Sequence, residues 1–119
     1  MVQLTKVAME VGFRTTQMAK TCTDPRARQR KFGAERAKKI LLRLTQMTAA
    51  ANLGELMRLP QARCHPWSVG IGDQYTVDLD GPYRLLFEVA DDPVPRLSDG
   101  GIDVHQVHQI TVVEVTDPH

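Results

Sequence analysis

Four residues in the second half of the chain have the side-chain types that metal-free cleavage of RNA needs. That reaction requires a base for the 2′-hydroxyl, an acid for the leaving oxygen and a cation for the charge on the phosphorane. A pre-sheet loop, a strand and the C-terminal end supply these types as His65, Arg84, Asp117 and His119. Composition alone does not single them out, because a loop histidine, a turn aspartate and a terminal histidine have ordinary structural explanations.

Other patterns of reactive residues are weaker. Cys64 and His65 are adjacent, which is not a chelating spacing for zinc, and no Cys-x-x-Cys motif accompanies them. His105 and His108 are three residues apart, so the spacing permits a metal site without requiring one. A Cys–His nucleophilic pair lacks a third orienting group. The glycines at 70–72 are not followed by the Gly-Lys of a phosphate-binding loop. We therefore expect neither a metal nor a cofactor.

The charge of the chain is divided between its two halves. Residues 1–60 hold twelve Lys or Arg and four Asp or Glu, a formal charge of +8, whereas residues 61–119 hold three Arg and ten Asp or Glu, a formal charge of −7. This asymmetry favours a basic helical surface for a polyanion or an acidic partner, although such helices are often simply solvated. The candidate RNA- or ribosome-binding residues are Arg26, Arg28, Arg30, Lys31, Arg36, Lys38, Lys39 and Arg63.

The longest helix is predicted for residues 34–51. Apolar or small side chains recur there at spacings of three and four, which is the stripe of an amphipathic helix. The stripe consists of Ala37, Ile40, Leu41, Leu44, Met47 and Thr48. Lys38, Lys39 and Arg43 fall off this stripe and are expected to face solvent. Gly33 can serve as an N-cap or tight joint before the helix, and Asn52 as a cap at its C-terminal end.

Shorter elements flank this helix. Residues 15–31 are a polar run compatible with helix, divided at Asp24-Pro25, where the aspartate can cap and the proline fits the first turn of a new helix. A short helical segment over 53–57 is closed by Pro60. Residues 9–13 are compatible with an edge strand, and residues 1–8 with a flexible extension, Met9 being an alternative start.

The acidic half changes to the alternating pattern of β-strands. Residues 75–79 alternate between apolar and polar side chains, which predicts a half-buried strand. Asp80-Gly81-Pro82 is a turn signal and residues 83–89 alternate again, so the two segments predict a hairpin. Residues 110–115 predict a third, central strand. The connection over 91–109 is long for a small domain, which favours a functional or protruding loop.

The hairpin determines the direction of Arg84. The residues of its second strand expected to face the core are Tyr83, Leu85, Phe87 and Val89. Arg84 then points to the opposite face of the sheet, beside Thr76 or Asp78. From there it could contact a ligand, or it could pair with a neighbouring aspartate across the strands.

Helices followed by an antiparallel meander predict an α+β domain with N-terminal helices packed on a small antiparallel sheet. The chain has 119 residues, of which 42% are hydrophobic and 24% charged, and this length and composition favour a single domain over residues 1–119. The chain has no run of eighteen apolar residues and does not begin with a basic and then apolar leader, so we expect neither a membrane span nor secretion. Its two cysteines are typical of reduced thiols, and we expect a cytoplasmic protein.

Short motifs follow one another in a distinctive order over residues 9–119. The first motif is Phe-Gly-Ala-Glu-Arg-Ala-Lys-Lys-Ile-Leu at 32–41, and the segment 50–56 follows it. A link at 59–65 then leads to the segment 74–79. Pro-Tyr-Arg-Leu-Leu-Phe at 82–87 is then followed by the ending Val-Glu-Val-Thr-Asp-Pro-His. In this order the chain resembles HigB-type toxins of the RelE/ParE superfamily, whose members end in Val-Glu-Ile-x-Asp-Tyr-His. The insertion at 92–103 resembles the killer or killer-suppression subgroup of these type II toxin–antitoxin proteins.

The resemblance implies a compact sheet packed on two helices, and metal-independent cleavage of messenger RNA, usually in the ribosomal A site. His65 matches the histidine before the first hairpin strand, and Arg84 matches the arginine that would contact the scissile phosphate. Asp117 and His119 match the terminal acid and histidine. The implied partners are a cognate helix-turn-helix antitoxin, mRNA on the ribosome and, only through the antitoxin, operator DNA.

The chain departs from the family pattern in two places. Family members usually carry Lys or Arg in the loop before the hairpin strand, whereas residues 68–73 have none, and Pro118 stands where the family has tyrosine. Each lost phosphate-contacting donor removes about 2.7–4 kcal/mol of transition-state stabilisation. The alternative is therefore a non-catalytic family member that binds a partner or regulates a toxin–antitoxin system. A general nucleic-acid-binding regulator is a third hypothesis, but the chain lacks a helix-turn-helix signal and is only 5% aromatic.

Overall fold

The helices form one layer of a two-layer structure, which confirms the α+β part of the predicted fold class. A computed structural model describes residues 8–67 and 72–117, so the predicted extension over 1–8 lies almost wholly outside the described residues. The helices are α1 (Thr16–Thr23), α2 (Pro25–Phe32), α3 (Ala34–Ala49) and α4 (Leu53–Met57), and a 3₁₀ turn spans Val104–Gln106. No helix among the described residues is long and apolar enough to cross a membrane.

The second layer is a sheet in which the described residues form five strands in the order β1-β5-β4-β3-β2. The strands are β1 (Glu10–Phe13), β2 (His65–Pro66), β3 (Gln74–Asp78), β4 (Arg84–Val89) and β5 (Gln109–Thr116). The meander is antiparallel as predicted, but β1 pairs parallel with β5. The helices connect β1 to the meander, and such a long connection lets the chain return in the same direction. The segment predicted to be central, β5, lies between β1 and β4.

Local signals explain the helix boundaries, with one correction. The Asp24 side chain accepts a hydrogen bond from the Arg26 backbone N–H at 3.3 Å and Pro25 begins α2, as predicted. Gly33, with φ of 80°, joins α2 to α3. The prediction that Asn52 caps the end of the long helix is wrong. That helix ends at Ala49, and Asn52 Oδ1 accepts a hydrogen bond from the Glu55 N–H at 2.8 Å, which makes Asn52 the N-cap of α4.

The core lies between the helices and one face of the sheet, which we call the inner face. Ile40 and Met47 of α3 pack in one buried cluster with Val77, Leu85 and Phe87 of the sheet. The inward direction predicted for the apolar residues of β4 is therefore confirmed. The prediction that Leu41 and Thr48 belong to the apolar stripe of the long helix is wrong, because both lie on the exposed side of α3. The opposite face, called the outer face below, is less exposed than the alternating pattern predicts.

The long connection over 91–108 is held by its own contacts. Both carboxylate oxygens of Asp91 accept hydrogen bonds from the His108 N–H, and one also accepts from the Gln109 N–H, at 3.0–3.2 Å. Arg96 and Ile102 form an isolated antiparallel bridge within the connection. The segment thus closes on itself beside the start of β5.

Arg43 is buried, so the prediction that it faces solvent is wrong. Its Nε donates to the backbone oxygen of Asp78 at 2.6 Å, and its two terminal nitrogens donate to Gln46 Oε1 at 3.0 Å and to the backbone oxygen of Gln61 at 2.8 Å. Burial lowers the pKa of Arg43, and the charge of Asp78 opposes that shift. The guanidinium is tolerated inside because these acceptors replace its water. Arg43 thereby joins α3 to the sheet and to the link before it.

Replacing Arg43 with Met is expected to lower the free energy of unfolding by about 2–4 kcal/mol, because buried carbonyls lose charged donors. Urea unfolding of the purified protein measures the change. The control is Lys38→Met on the exposed side of the same helix, which should stay within about 0.5 kcal/mol of the parent. An Arg43→Met protein as stable as the parent would show that these hydrogen bonds do not hold the two layers together.

Candidate functional site

The outer face of the sheet brings together two of the four predicted site residues. His65 on β2 is the cross-strand partner of Thr76 on β3, which pairs with Leu86 on β4, which pairs with Glu114 on β5. Residues paired in this way direct their side chains to the same face. Arg84 lies two residues before Leu86 on β4, so it shares that face with His65. Strand spacing and rise put the two Cα atoms on the order of 12 Å apart.

Arg84 is held by an aspartate across the strands. Asp78 is its register partner on β3, and Arg84 Nη1 lies 2.9 Å from Asp78 Oδ1. This contact is an ion pair rather than an aligned hydrogen bond, because Oδ1 has no hydrogen-bond partner among the described residues. The sequence left open whether Arg84 contacts a ligand or pairs with a neighbouring aspartate, and the second arrangement is present here.

Arg63 binds the same carboxylate from the link before β2. Its Nε lies 3.3 Å from Asp78 Oδ2, and its side chain is 70% exposed, against 25% for Arg84. Arg63 has φ of 48°, a left-handed conformation that is uncommon for a residue with a side chain. Ala62, the residue before Arg63, accepts a hydrogen bond at its backbone oxygen from the Asp78 N–H at 2.8 Å. This bond joins the link before β2 to β3. Asp78 is thus flanked by two guanidinium groups, and we call Arg63, Asp78 and Arg84 the arginine–aspartate cluster.

Thr76 lies beside this cluster with an unsatisfied hydroxyl. Its side chain is 0% exposed although it belongs to the outer face, and Oγ1 has no hydrogen-bond partner among the described residues. A desolvated hydroxyl without a partner destabilises a fold. Thr76 was not among the predicted site residues, and only its register opposite His65 shows where it lies.

His65 is exposed and its neighbour Cys64 is not. Nδ1 of His65 lies 3.2 Å from the backbone oxygen of Pro66, which leaves the rest of the ring open to solvent. Burial raises the pKa of the Cys64 thiol to about 12, so it stays protonated at neutral pH. A protonated buried thiol is a poor nucleophile, which argues against a Cys64–His65 pair.

The C-terminal residues are only partly described. Thr116 pairs with Arg84 across β4 and β5, and the exposed Asp117 follows it directly. Asp117 therefore leaves the sheet at the end where the arginine–aspartate cluster lies. The predicted His119, and Pro118 before it, lie outside the described residues. No group of three or more His, Cys, Asp or Glu close enough to hold a metal ion occurs within residues 8–67 and 72–117.

The predicted RNA-binding cations fall into two groups. Arg28 is buried and donates to the backbone oxygen of Cys22 at 2.8 Å, whereas Arg36 bonds Asp80 at 3.0 Å and stacks 3.4 Å above the centre of the Tyr83 ring. These two arginines, like Arg63, are committed to contacts within the fold. The cations that remain on the helical surface are Arg26, Arg30, Lys31, Lys38 and Lys39.

A cleft between α1 and α2 adds one cation that the sequence did not single out. Lys20 lines this cleft of about 390 Å³ together with Arg30 and Lys31. No described carboxylate lines it. Its positive charge and open shape suit a polyanion such as a nucleic acid backbone.

The acidic half offers no unpaired arginine. Besides the two in the cluster, Arg96 lies 3.3 Å from Asp73, so all three arginines of residues 61–119 are paired with an aspartate. Comparison with protein-family models, with curated proteins and with solved structures found no match.

Replacing Asp78 with Asn is expected to tighten binding of a short RNA roughly threefold, because an ion pair near the protein surface is worth about 0.2–1 kcal/mol and the carboxylate competes with phosphate for both arginines. Fluorescence anisotropy with a labelled oligoribonucleotide at low salt measures the affinity. The matched control is Asp73→Asn, which frees Arg96 instead. Equal effects of the two substitutions would mean that the arginine–aspartate cluster is not the phosphate-binding position.

Replacing Thr76 with Val is expected to raise the free energy of unfolding by about 1 kcal/mol, because a buried hydroxyl without a partner costs about 1–3 kcal/mol. The control is Thr21→Val, where the buried hydroxyl donates to the backbone oxygens of Gln17 and Met18 at 3.1 and 3.2 Å. That substitution should destabilise. Urea unfolding compares the two, and a destabilised Thr76→Val protein would show that the hydroxyl is satisfied in solution.

Proposed function

We propose that this chain is the toxin component of a type II toxin–antitoxin system and cleaves messenger RNA on the ribosome at its outer face. The observation that carries the proposal is that His65 and Arg84 share that face, while β5 ends beside Arg84 and leads into Asp117. These are the residues that the resemblance to HigB-type toxins singles out. A metal-independent site requires its reacting groups to surround one phosphodiester, and a shared face is the first condition for that.

Each residue has a role that fits its chemistry. Arg84 would stabilise the charge that develops on the phosphorane, which a guanidinium does with several fixed donors. His65 is open to solvent and would transfer a proton at the 2′-hydroxyl or at the leaving oxygen. Asp117 and His119 would supply the remaining acid–base group. For Arg84 to act, phosphate has to displace Asp78 from the guanidinium.

The basic surface of the helices would hold the ribosome. Arg26, Arg30 and Lys31 project from α2, and the cleft that includes Lys20 lies beside them. Contacts of Lys and Arg with RNA phosphates give affinity without sequence specificity and weaken steeply with salt. This proposal implies a cytoplasmic protein that a helix-turn-helix antitoxin neutralises.

A second candidate function is favoured by the same aspartate. Asp78 pairs with both Arg63 and Arg84 and reduces their combined charge from +2 to a net +1, which is the arrangement expected of a non-catalytic relative that binds a partner or regulates the system. In that case the product of the neighbouring reading frame should bind the purified protein, and ribosomes incubated with the protein should keep their mRNA intact. Cuts in the A site would exclude this second function.

Expression of the chain from a tightly repressed promoter is expected to arrest growth and protein synthesis, and Arg84→Ala is expected to abolish the arrest because the phosphorane charge loses its cation. Pulse labelling with an amino acid measures protein synthesis. The matched control is Arg14→Ala, which removes an arginine paired with Glu88 at 3.2 Å on β4, four residues from Arg84. Unaffected growth with the parent chain, or equal arrest with Arg84→Ala, would refute the proposed activity.

A further inference from the structure

Helix α3 carries a second stripe that faces away from the core. Lys38, Leu41, Leu42 and Thr45 recur at the spacing of one helix face, and together with Lys39 they line a depression of about 420 Å³. Leu41 is 49% exposed and Leu42 is 43% exposed. Among the described residues, only Leu97 is a comparably exposed large apolar side chain. We call Lys38, Leu41, Leu42 and Thr45 the outer stripe of α3.

The C-terminal part of the outer stripe, around Thr45, presents a more apolar surface than its residue types imply. Thr45 Oγ1 donates to the backbone oxygen of Leu41 at 2.8 Å, and Thr48 Oγ1 donates to that of Thr45 at 3.0 Å. Both hydroxyls are thus satisfied within the helix, which leaves the threonine methyl groups available for contact. The surface that a partner meets is therefore aliphatic over about two turns.

The outer stripe continues into a groove between α2 and α3. A second depression of about 250 Å³ shares Lys38 and Leu41 with the first and extends past Ala34 and Ala37 to Pro25. The small side chains at 34 and 37 allow another chain to approach the backbone closely. A groove along a helix with leucines at its centre has the form that accepts another amphipathic helix.

The charges beside this groove select the kind of helix. Lys38 and Lys39 border the leucines, and the helical half of the chain carries an excess of positive charge. We propose that the outer stripe of α3 and the adjoining groove bind an amphipathic helix of a partner protein that presents leucine-like side chains flanked by Asp or Glu. A second copy of this chain would bring like charges together at the same place, and RNA would leave the two leucines without an apolar partner.

This docking surface is separate from the proposed RNA site. It lies on the helical layer, whereas His65 and Arg84 lie on the outer face of the sheet, beyond the core. The inference therefore does not rest on RNA cleavage, and loss of activity through Arg84 should leave the partner helix bound. Lys38 and Lys39 would then serve partner binding rather than the ribosome.

The test uses two labelled peptides of about 18 residues, long enough to form a helix. They share one leucine stripe, flanked by Glu in one peptide and by Lys in the other. Fluorescence anisotropy measures their binding to the full chain, to Leu41→Ser/Leu42→Ser and to Leu97→Ser, the matched control for an exposed leucine elsewhere. Lys38→Glu/Lys39→Glu tests the charges without altering the leucines, and thermal unfolding verifies that each variant folds.

We expect the Glu peptide to bind the parent chain at least about tenfold more tightly than the Lys peptide, a difference typical of complementary charges around an apolar centre. The double serine variant should lose that binding, Leu97→Ser should keep it within about twofold, and the double glutamate variant should reverse the preference between the peptides. Three results would overturn the inference. They are no binding of the Glu peptide up to about 1 mM, equal loss with Leu97→Ser, and self-association through the leucines in sedimentation.

Discussion

Asp78 makes contacts through every polar group it has, and the arrangement of the candidate site depends on them. Its backbone oxygen accepts a hydrogen bond from the Arg43 guanidinium of α3, and its N–H donates to the backbone oxygen of Ala62. Its carboxylate forms ion pairs with Arg63 and Arg84. The helical layer, the link before β2 and the outer face therefore meet at one residue. Because the carboxylate occupies the cations that a phosphate would need, the same residue controls both the position of Arg84 and its availability.

The segregation of charge along the sequence becomes a segregation in space. The exposed cations of the helices, among them Arg26, Arg30 and Lys38, lie on the helical layer, whereas the three arginines of the sheet half all pair with aspartates, two of them sharing Asp78. A polyanion would meet the helices first, through contacts that need no particular sequence. Chemistry on the outer face would come only where a phosphate competes successfully with Asp78. This division explains how a chain with a net charge of +1 could bind RNA through its helices, while the two arginines of its candidate site keep a net charge of only +1 beside Asp78.

The sequence was sufficient to predict those features that depend on neighbouring residues. The cap at Asp24-Pro25, the turn at Asp80-Gly81-Pro82 and the inward face of β4 follow from local propensity and from the period of the side chains. Arg84 was correctly directed to the opposite face for the same reason. Asn52 was misassigned because a cap residue has the same local signature at the end of one helix and at the start of the next.

The remaining features depend on distant partners. Arg43 lies beside the apolar stripe of α3, and only carbonyls from residues far along the chain make its burial possible. The parallel pairing of β1 with β5 joins segments about a hundred residues apart, which no short pattern specifies. Thr76 is buried because neighbouring strands surround it, although threonine is a polar residue that is usually exposed. For the arginine–aspartate cluster, the sequence indicated only that Arg84 could either contact a ligand or pair with a neighbouring aspartate.

Cleavage of RNA at the outer face through Arg84 can be tested by incubating the purified protein with programmed ribosomes and mapping the ends of the mRNA. Metal-independent cleavage through Arg84 predicts a cut within the A-site codon that leaves a 2′,3′-cyclic phosphate, and no cut when the nucleotide before the scissile bond is 2′-deoxy. Intact mRNA, or the same cuts by the Arg84→Ala protein, would contradict it.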